Sequence, residues 1–213
     1  MAHVRLACPS VNLATIIDGH PDNACALISR GKPTDFGTLR RQVAGLRTGL
    51  IGLGLEPGDR VAIVSGNNRY FVVSYLAALS AGLVAVPLNP TNPGVAVAKE
   101  LNGVAARAVI VGPAGRAAFE GVDRADVPSV EFVIGAGFTP DGGLSLEELS
   151  TDDSAPVVER RPDDVAVLIF TSGTAGLPRA AMLTHGNLYA NIRQLLASGG
   201  DDQNMDDVVF GVL

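Results

Sequence analysis

Short apolar runs punctuate this chain at residues 24–29, 60–65, 84–88, 108–111, 130–134 and 165–170. Runs of this length, bounded by glycine, proline or charge, read as strands. Between them the apolar residues fall at three- and four-residue spacing, as in Leu39, Val43, Leu46, Leu50 and Leu53, which predicts an amphipathic helix. Thr38 is the predicted cap of that helix, and Gly52 and Gly54 are its closing glycines. Further helices are predicted at 12–17, 68–81, 93–103, 114–119, 145–149 and 186–197. Gly31-Lys32-Pro33 reads as a turn returning into a strand at 34–36, which makes a hairpin with 24–29. A last strand is expected to begin at 208–213. Strands alternating with helices at short intervals predict an α/β fold, a mostly parallel sheet with helices on both faces. Residues 139–164, rich in Pro, Asp and Glu, are the candidate linker, and no internal repeat is visible.

Composition narrows the function classes. The 213 residues can bury a sizeable core, with 47% apolar and 18% charged residues. A formal charge of −6 without a basic cluster argues against a nucleic-acid partner. Acidic residues gather at 141–164 and 201–207, where they read as solvated loops. Cys8 and Cys25 have neither metal-site nor C-x-x-C spacing, which fits structural thiols in a reducing cytoplasm. Residues 1–11 lack the apolar core of a signal peptide. Residues 70–98 carry no charge, but Gly82, Pro87, Pro90 and Pro93 break the run, so no transmembrane segment is expected. Peripheral association with a membrane stays open.

The chemistry concentrates in Thr171-Ser172-Gly173-Thr174-Ala175-Gly176-Leu177-Pro178-Arg179, directly after the apolar run at 165–170. Glycines allow close backbone approach, hydroxyls and free N–H groups suit phosphate oxygens, and arginine adds a forked cation. The order of residues is neither a Walker A loop nor a dinucleotide-binding fingerprint. From the residues alone, a phosphate loop and a solvated strand-to-strand connection are both open. His185 reads as an acid or base, or as an organiser of the last helix with Asn187. Asn67 and Asn68 read as pocket-lining or helix-capping residues. The glycines of 52–58 close a helix where a nucleotide site would need them to open one.

Residues 170–188, FTSGTAGLPRAAMLTHGNL, closely resemble the signature loop of the AMP-forming acyl-CoA synthetase, luciferase and peptide-synthetase adenylation superfamily. That pattern runs roughly (Y or F)-T-S-G-(S or T)-T-G-x-P-K-G-V, followed by a His or Ser-His and an Asn-Leu. Here Ala175 replaces the second Thr, Arg179 the Lys and Ala180 the following Gly. The resemblance implies the first portion of the large N-terminal domain of the adenylate-forming fold over 1–213, incomplete at its C-terminus, with 139–164 an internal loop. It implies ATP, Mg2+ and coenzyme A as cofactors, and binding of the β- and γ-phosphates by Thr171, Ser172, Gly173, Thr174, Gly176 and Arg179. No catalytic residue and no metal ligand is implied in this part of the family's architecture. The adenine-contacting motifs, the Mg2+-serving acid, the acyl pocket and the C-terminal Lys belong to regions downstream of Leu213.

The expectation is therefore the N-terminal part of an ATP-dependent, AMP-forming ligase for a carboxylic acid, specifically a fatty acid, with coenzyme A or an acyl carrier protein as acceptor. The 213-residue chain alone is expected not to catalyse ligation, and its uncovered apolar surface to favour self-association. The alternative is a naturally shortened, non-catalytic paralogue acting as a binding or interaction module. A third reading is an unrelated phosphate-binding α/β domain.

Overall fold

Strands whose side chains are apolar on both sides need cover on both sides, and the fold supplies it. The structure, a computed structural model, describes residues 11–171 and 179–198. In chain order the elements are β1 (Cys25–Ser29), β2 (Lys32–Asp35), α1 (Phe36–Gly52), β3 (Arg60–Val64), α2 (Arg69–Ser80), β4 (Val84–Leu88) and α3 (Gly94–Gly103). There follow β5 (Ala108–Val111), α4 (Arg116–Glu120), β6 (Phe132–Gly135), β7 (Leu144–Ser145), α5 (Leu146–Leu149), β8 (Val165–Thr171), β9 (Arg179–Thr184) and α6 (His185–Ser198). Among the described residues β1 and β2 form a 2-stranded sheet, and the others a 7-stranded sheet in the order β7-β6-β5-β3-β4-β8-β9. Every pairing in the larger sheet is parallel except β8 with β9.

Alternate residues of the central strands enter different cores. Val61, Ile63, Ala85 and Ile110 pack with Leu46 and Leu50 of α1 and Leu76 and Leu79 of α2. Ala62, Val64, Val86 and Val109 pack with Val97 and Leu101 of α3 and Ala118 of α4. The predicted parallel sheet with helices on both faces is thus present. At the amino edge, Arg107 bridges Asp59 at 2.5 Å and Glu131 at 2.7 Å, tying together the entries to β3, β5 and β6.

Several local expectations are corrected. The hairpin turn sits at Arg30 and Gly31, with φ of 51° and 74°, so Ser29 pairs with Lys32 and Pro33 lies within β2. A two-residue turn with both φ positive matches the strand twist, and an edge strand tolerates the proline. Asp35, not Thr38, caps α1: its side chain accepts the Thr38 N–H at 2.6 Å. Cys25 is exposed and so is no buried structural thiol, while Cys8 lies outside the described residues.

The candidate linker is a strap laid over α1. Gly45 and Gly49, one helical turn apart, leave room for its backbone; a Cβ at Gly49 would sit 2.2 Å from the Leu149 carbonyl oxygen. Thr151 N–H donates to the Gly45 carbonyl at 3.3 Å. The buried Arg47 donates to the Ala155 carbonyl at 2.8 Å and to Ser154 Oγ at 3.2 Å. Burial pulls the Arg47 pKa down, and the nearby Asp18 charge partly opposes this. Farther along, Val158 N–H donates to the Ser80 carbonyl at 2.8 Å, so the strap runs from α1 to the end of α2 and delivers the chain to β8.

Candidate phosphate-binding site

β8 enters the sheet beside β4, with Ala85 opposite Val167, and points the same way as the other central strands. Its buried residues are Ala166 and Val167; beyond them half-buried and exposed positions alternate up to the exposed Thr171, which emerges at the carboxyl edge of the sheet. In open α/β sheets ligands gather beyond that edge. The strand does not end in a helix. It pairs antiparallel with β9, through Ile169 opposite Ala181, Phe170 opposite Ala180 and Thr171 opposite Arg179.

The last of these pairs defines the site. Residues directly opposite on an antiparallel pair project from the same face, so the Thr171 hydroxyl and the Arg179 guanidinium leave the hairpin together. Thr171 Oγ1 donates to the Arg179 carbonyl at 3.4 Å, and both residues are exposed. Ser172, Gly173, Thr174 and Gly176 lie outside the described residues. The stretch therefore does connect two strands, and its ends carry a hydroxyl and a permanent cation. Among the described residues no group of His, Cys, Asp and Glu is arranged to hold a metal ion.

β9 leads directly into α6 through a reciprocal cap. Thr184 N–H donates to Asn187 Oδ1 and Asn187 N–H donates to Thr184 Oγ1, each at 3.1 Å. Asn187 is the expected organiser, and Thr184 is its unexpected partner; the Thr-x-x-Asn spacing before an apolar pattern is the signal for it in the sequence. His185 is fully buried. Its Nδ1 accepts the Leu13 N–H at 3.0 Å, which puts the ring proton on Nε2. Its own N–H donates to the Asp164 carbonyl at 3.1 Å. Burial, and secondarily the Arg160 charge, push its pKa from 6.5 down to about 4 against the pull of Asp164. This neutral imidazole faces away from solvent and ties the segment beginning at Leu13 to the helix behind the hairpin. It is an organiser and not an acid or base.

Asp164 is one acidic residue that the solvated-loop reading does not describe. Its side chain accepts the Arg161 N–H at 2.9 Å and lies 3.2 Å from Arg160 Nε. That backbone N–H, more than the two arginine charges, holds its carboxyl below the ordinary range. Asn68 is a cap, accepting the N–H groups of Tyr70 and Phe71 at 2.8 and 3.2 Å.

Residues 13–213 match the family described as AMP-binding enzyme, and the chain belongs to that family. Two curated relatives show its reach. The chain is 29% identical over 171 residues to 4-coumarate-CoA ligase 1 of Narcissus pseudonarcissus, covering 78% of this chain and 30% of the relative. It is 29% identical over 186 residues to the medium-chain fatty-acid–CoA ligase of Escherichia coli strain K12, covering 83% of this chain and 33% of that one. Acetoacetyl-CoA synthetase from Streptomyces lividans has the same fold, with a TM-score of 0.78 and 27% identity over 88% of this chain and 32% of that chain. The chain spans about a third of the length of these proteins. No helix among the described residues is long and apolar enough to cross a membrane.

Proposed function

We propose that this chain supplies the phosphate-binding loop of an ATP-dependent, AMP-forming carboxylic acid–CoA ligase. The observation that carries the reading is the pairing of Thr171 with Arg179 at the carboxyl edge of the sheet, in a chain of the AMP-binding enzyme family. MgATP is the substrate complex. A carboxylate oxygen of the acid bonds to the α-phosphorus, and the bond from that phosphorus to the bridging oxygen of the β-phosphate breaks. Pyrophosphate leaves and an acyl adenylate remains. A thiol then attacks the acyl carbon, AMP departs with the carboxylate oxygen, and the thiol proton passes to solvent.

Negative charge builds on the pyrophosphate oxygens in the first step. Hydroxyls of Thr171, Ser172 and Thr174, close approach at Gly173 and Gly176, and the Arg179 fork would stabilise that charge. Arg179 in place of the usual lysine keeps the charge and exchanges a point donor for a planar one. Ala175 removes one hydroxyl, and Ala180 restricts the backbone where glycine is usual.

The finer reading is a fatty-acid substrate, in line with the likeness to the medium-chain fatty-acid–CoA ligase and in competition with the equal likeness to 4-coumarate-CoA ligase 1, with coenzyme A or an acyl carrier protein as acceptor. In that reading the 213 residues form the first part of the adenylation domain, act in the cytoplasm or at a membrane surface, and do not ligate alone. Exposed Ile169, Met182 and Leu195 support self-association of the isolated piece.

The test is to isolate the native protein, measure its intact mass, and assay acid-dependent exchange of pyrophosphate into ATP with a medium-chain fatty acid and with 4-coumarate. Exchange by a heavier protein, faster with the fatty acid, is the expected result. Faster exchange with 4-coumarate replaces the fatty acid by an aryl acid. A native protein near 21.9 kDa without exchange would replace the ligase by an interaction module. Exchange by the 213-residue chain itself would refute its incompetence alone.

A further inference from the structure

The carboxyl edge of the sheet holds a cleft away from the β8–β9 hairpin. The chain leaves β3 for α2 on one face of the sheet, and leaves the adjacent β5 for α4 on the other. Neighbouring parallel strands whose outgoing loops part to opposite faces leave a crevice between them, the place where ligands settle in open α/β sheets. The β1–β2 turn folds over that crevice. A cleft of about 170 Å³ results, lined by Ser29, Arg30, Lys32 and Thr34 from the hairpin, Asn68, Arg69 and Tyr70 at the start of α2, and Pro113 after β5.

We propose that this cleft binds a phosphomonoester group. Its charged lining residues, Arg30, Lys32 and Arg69, are all cations, and no carboxylate shares the wall, although the chain as a whole carries −6. Clustered like charges repel one another in the empty cleft, and an anion removes that cost. Arg69 is held at the cleft wall by Tyr70: its guanidinium lies 4.6 Å from the centre of the Tyr70 ring and donates to the Tyr70 hydroxyl at 3.2 Å. Arg30 holds a φ of 51°, an unfavourable conformation for a side chain of its kind and one that glycine or asparagine would take more easily. Ser29 and Thr34 add hydroxyls.

The helix end itself is not the attraction. Asn68 takes the Tyr70 and Phe71 N–H groups, and Arg69 N–H donates to Ser29 Oγ at 3.3 Å. The binding chemistry is therefore that of the side chains. The volume is below the roughly 300–1,000 Å³ of sites for drug-sized ligands, which suits a single phosphate head and not a whole nucleotide. The phosphate could be free in solution or the head of a lipid; Ile28, 56% exposed on the same hairpin, would face the lipid in the second case. β4 separates this cleft from β8, so the inference does not depend on the ligase reading.

The experiment titrates the chain with inorganic phosphate by 31P NMR, and separately with phosphatidylcholine vesicles containing a minority of phosphatidic acid. Variants are R30Q, K32Q, R69Q, the triple substitution and R179A; far-UV circular dichroism confirms that each is folded. Exposed charge pairs are worth about 0.2–1 kcal/mol, so each single variant should weaken binding by up to about fivefold, and the triple by about three- to a hundredfold. Loss of free-phosphate binding in the triple variant identifies a soluble ligand. Vesicle binding lost in the triple variant, where the native sequence binds no free phosphate, identifies a lipid head. Binding that survives the triple substitution, or no binding to either probe, overturns the proposal. If only R179A abolishes phosphate binding, the phosphate sits on the β8–β9 hairpin: this inference falls and the ligase reading stands.

Discussion

Acid should destabilise this protein through His185, and the size of the effect follows from its burial. The ring is fully buried and neutral, with Nδ1 occupied by the Leu13 N–H. Protonating it would break that bond and place a charge beside Arg160. Its pKa is accordingly about 4 in the folded chain against an ordinary 6.5. Above the ordinary value both folded and unfolded chains hold the neutral ring, and pH has no leverage through it. Between about 6.5 and 4 the unfolded chain takes up a proton that the folded chain refuses. Stability then falls by about 1.4 kcal/mol per pH unit, roughly 3 kcal/mol over the window. That is a large share of the roughly 5–15 kcal/mol typical of a domain. In His185→Asn, Oδ1 can still accept from Leu13, while the proton-binding group is gone. The lost ring volume should cost about 1–3 kcal/mol at every pH. Urea unfolding followed by circular dichroism at a series of pH values separates the two effects. The variant should be less stable near neutrality, with the difference shrinking toward pH 4. A difference that stays constant with pH would refute the argument.

Other consequences follow from the strap and the hairpin. Gly49→Ala should destabilise by about 1–3 kcal/mol, because its Cβ would meet the Leu149 carbonyl oxygen at 2.2 Å. Gly52→Ala, with nothing within 4 Å, should be neutral or stabilise by up to about 1 kcal/mol; thermal melts of the pair distinguish packing from helix propensity. Arg47→Ala removes the donors to Ala155 and Ser154. It should cost about 2–4 kcal/mol and open residues 150–156 to limited proteolysis. Arg179→Ala should weaken pyrophosphate binding about ten- to a hundredfold, as expected for losing a charged hydrogen bond of about 1.5–3 kcal/mol, with Arg179→Lys in between; calorimetry reads both.

Much of the frame is legible residue by residue. The runs at 84–88 and 108–111 coincide with β4 and β5 because apolar residues bounded by glycine, proline or charge leave one conformation that buries them. α1 was legible from its leucines, but its first residue was not: Asp35 and Thr38 are both good caps, and only the chain path into the helix selects the aspartate. β9 is not legible by itself, since Arg179, Ala180 and Ala181 are weak strand formers alone; their pairing with β8 is a tertiary decision. The strap was equally hidden, because Gly45 and Gly49 meet backbone about a hundred residues away in the chain. At the site, the order of residues from Thr171 to Arg179 pointed to phosphate. The sequence leaves His185 between catalysis and structure, and its contact with Leu13, 172 residues away in the chain, resolves that in favour of structure.

The central claim is that phosphate oxygens meet this chain at the Thr171–Arg179 end of β8. The most direct measurement is an amide 1H–15N titration of the chain with pyrophosphate, in the native sequence and in Arg179→Ala. The account predicts saturable shifts at residues 171–179, weakened about ten- to a hundredfold in the variant. Saturable pyrophosphate binding that leaves 171–179 unmoved, or that persists undiminished in Arg179→Ala, would contradict it.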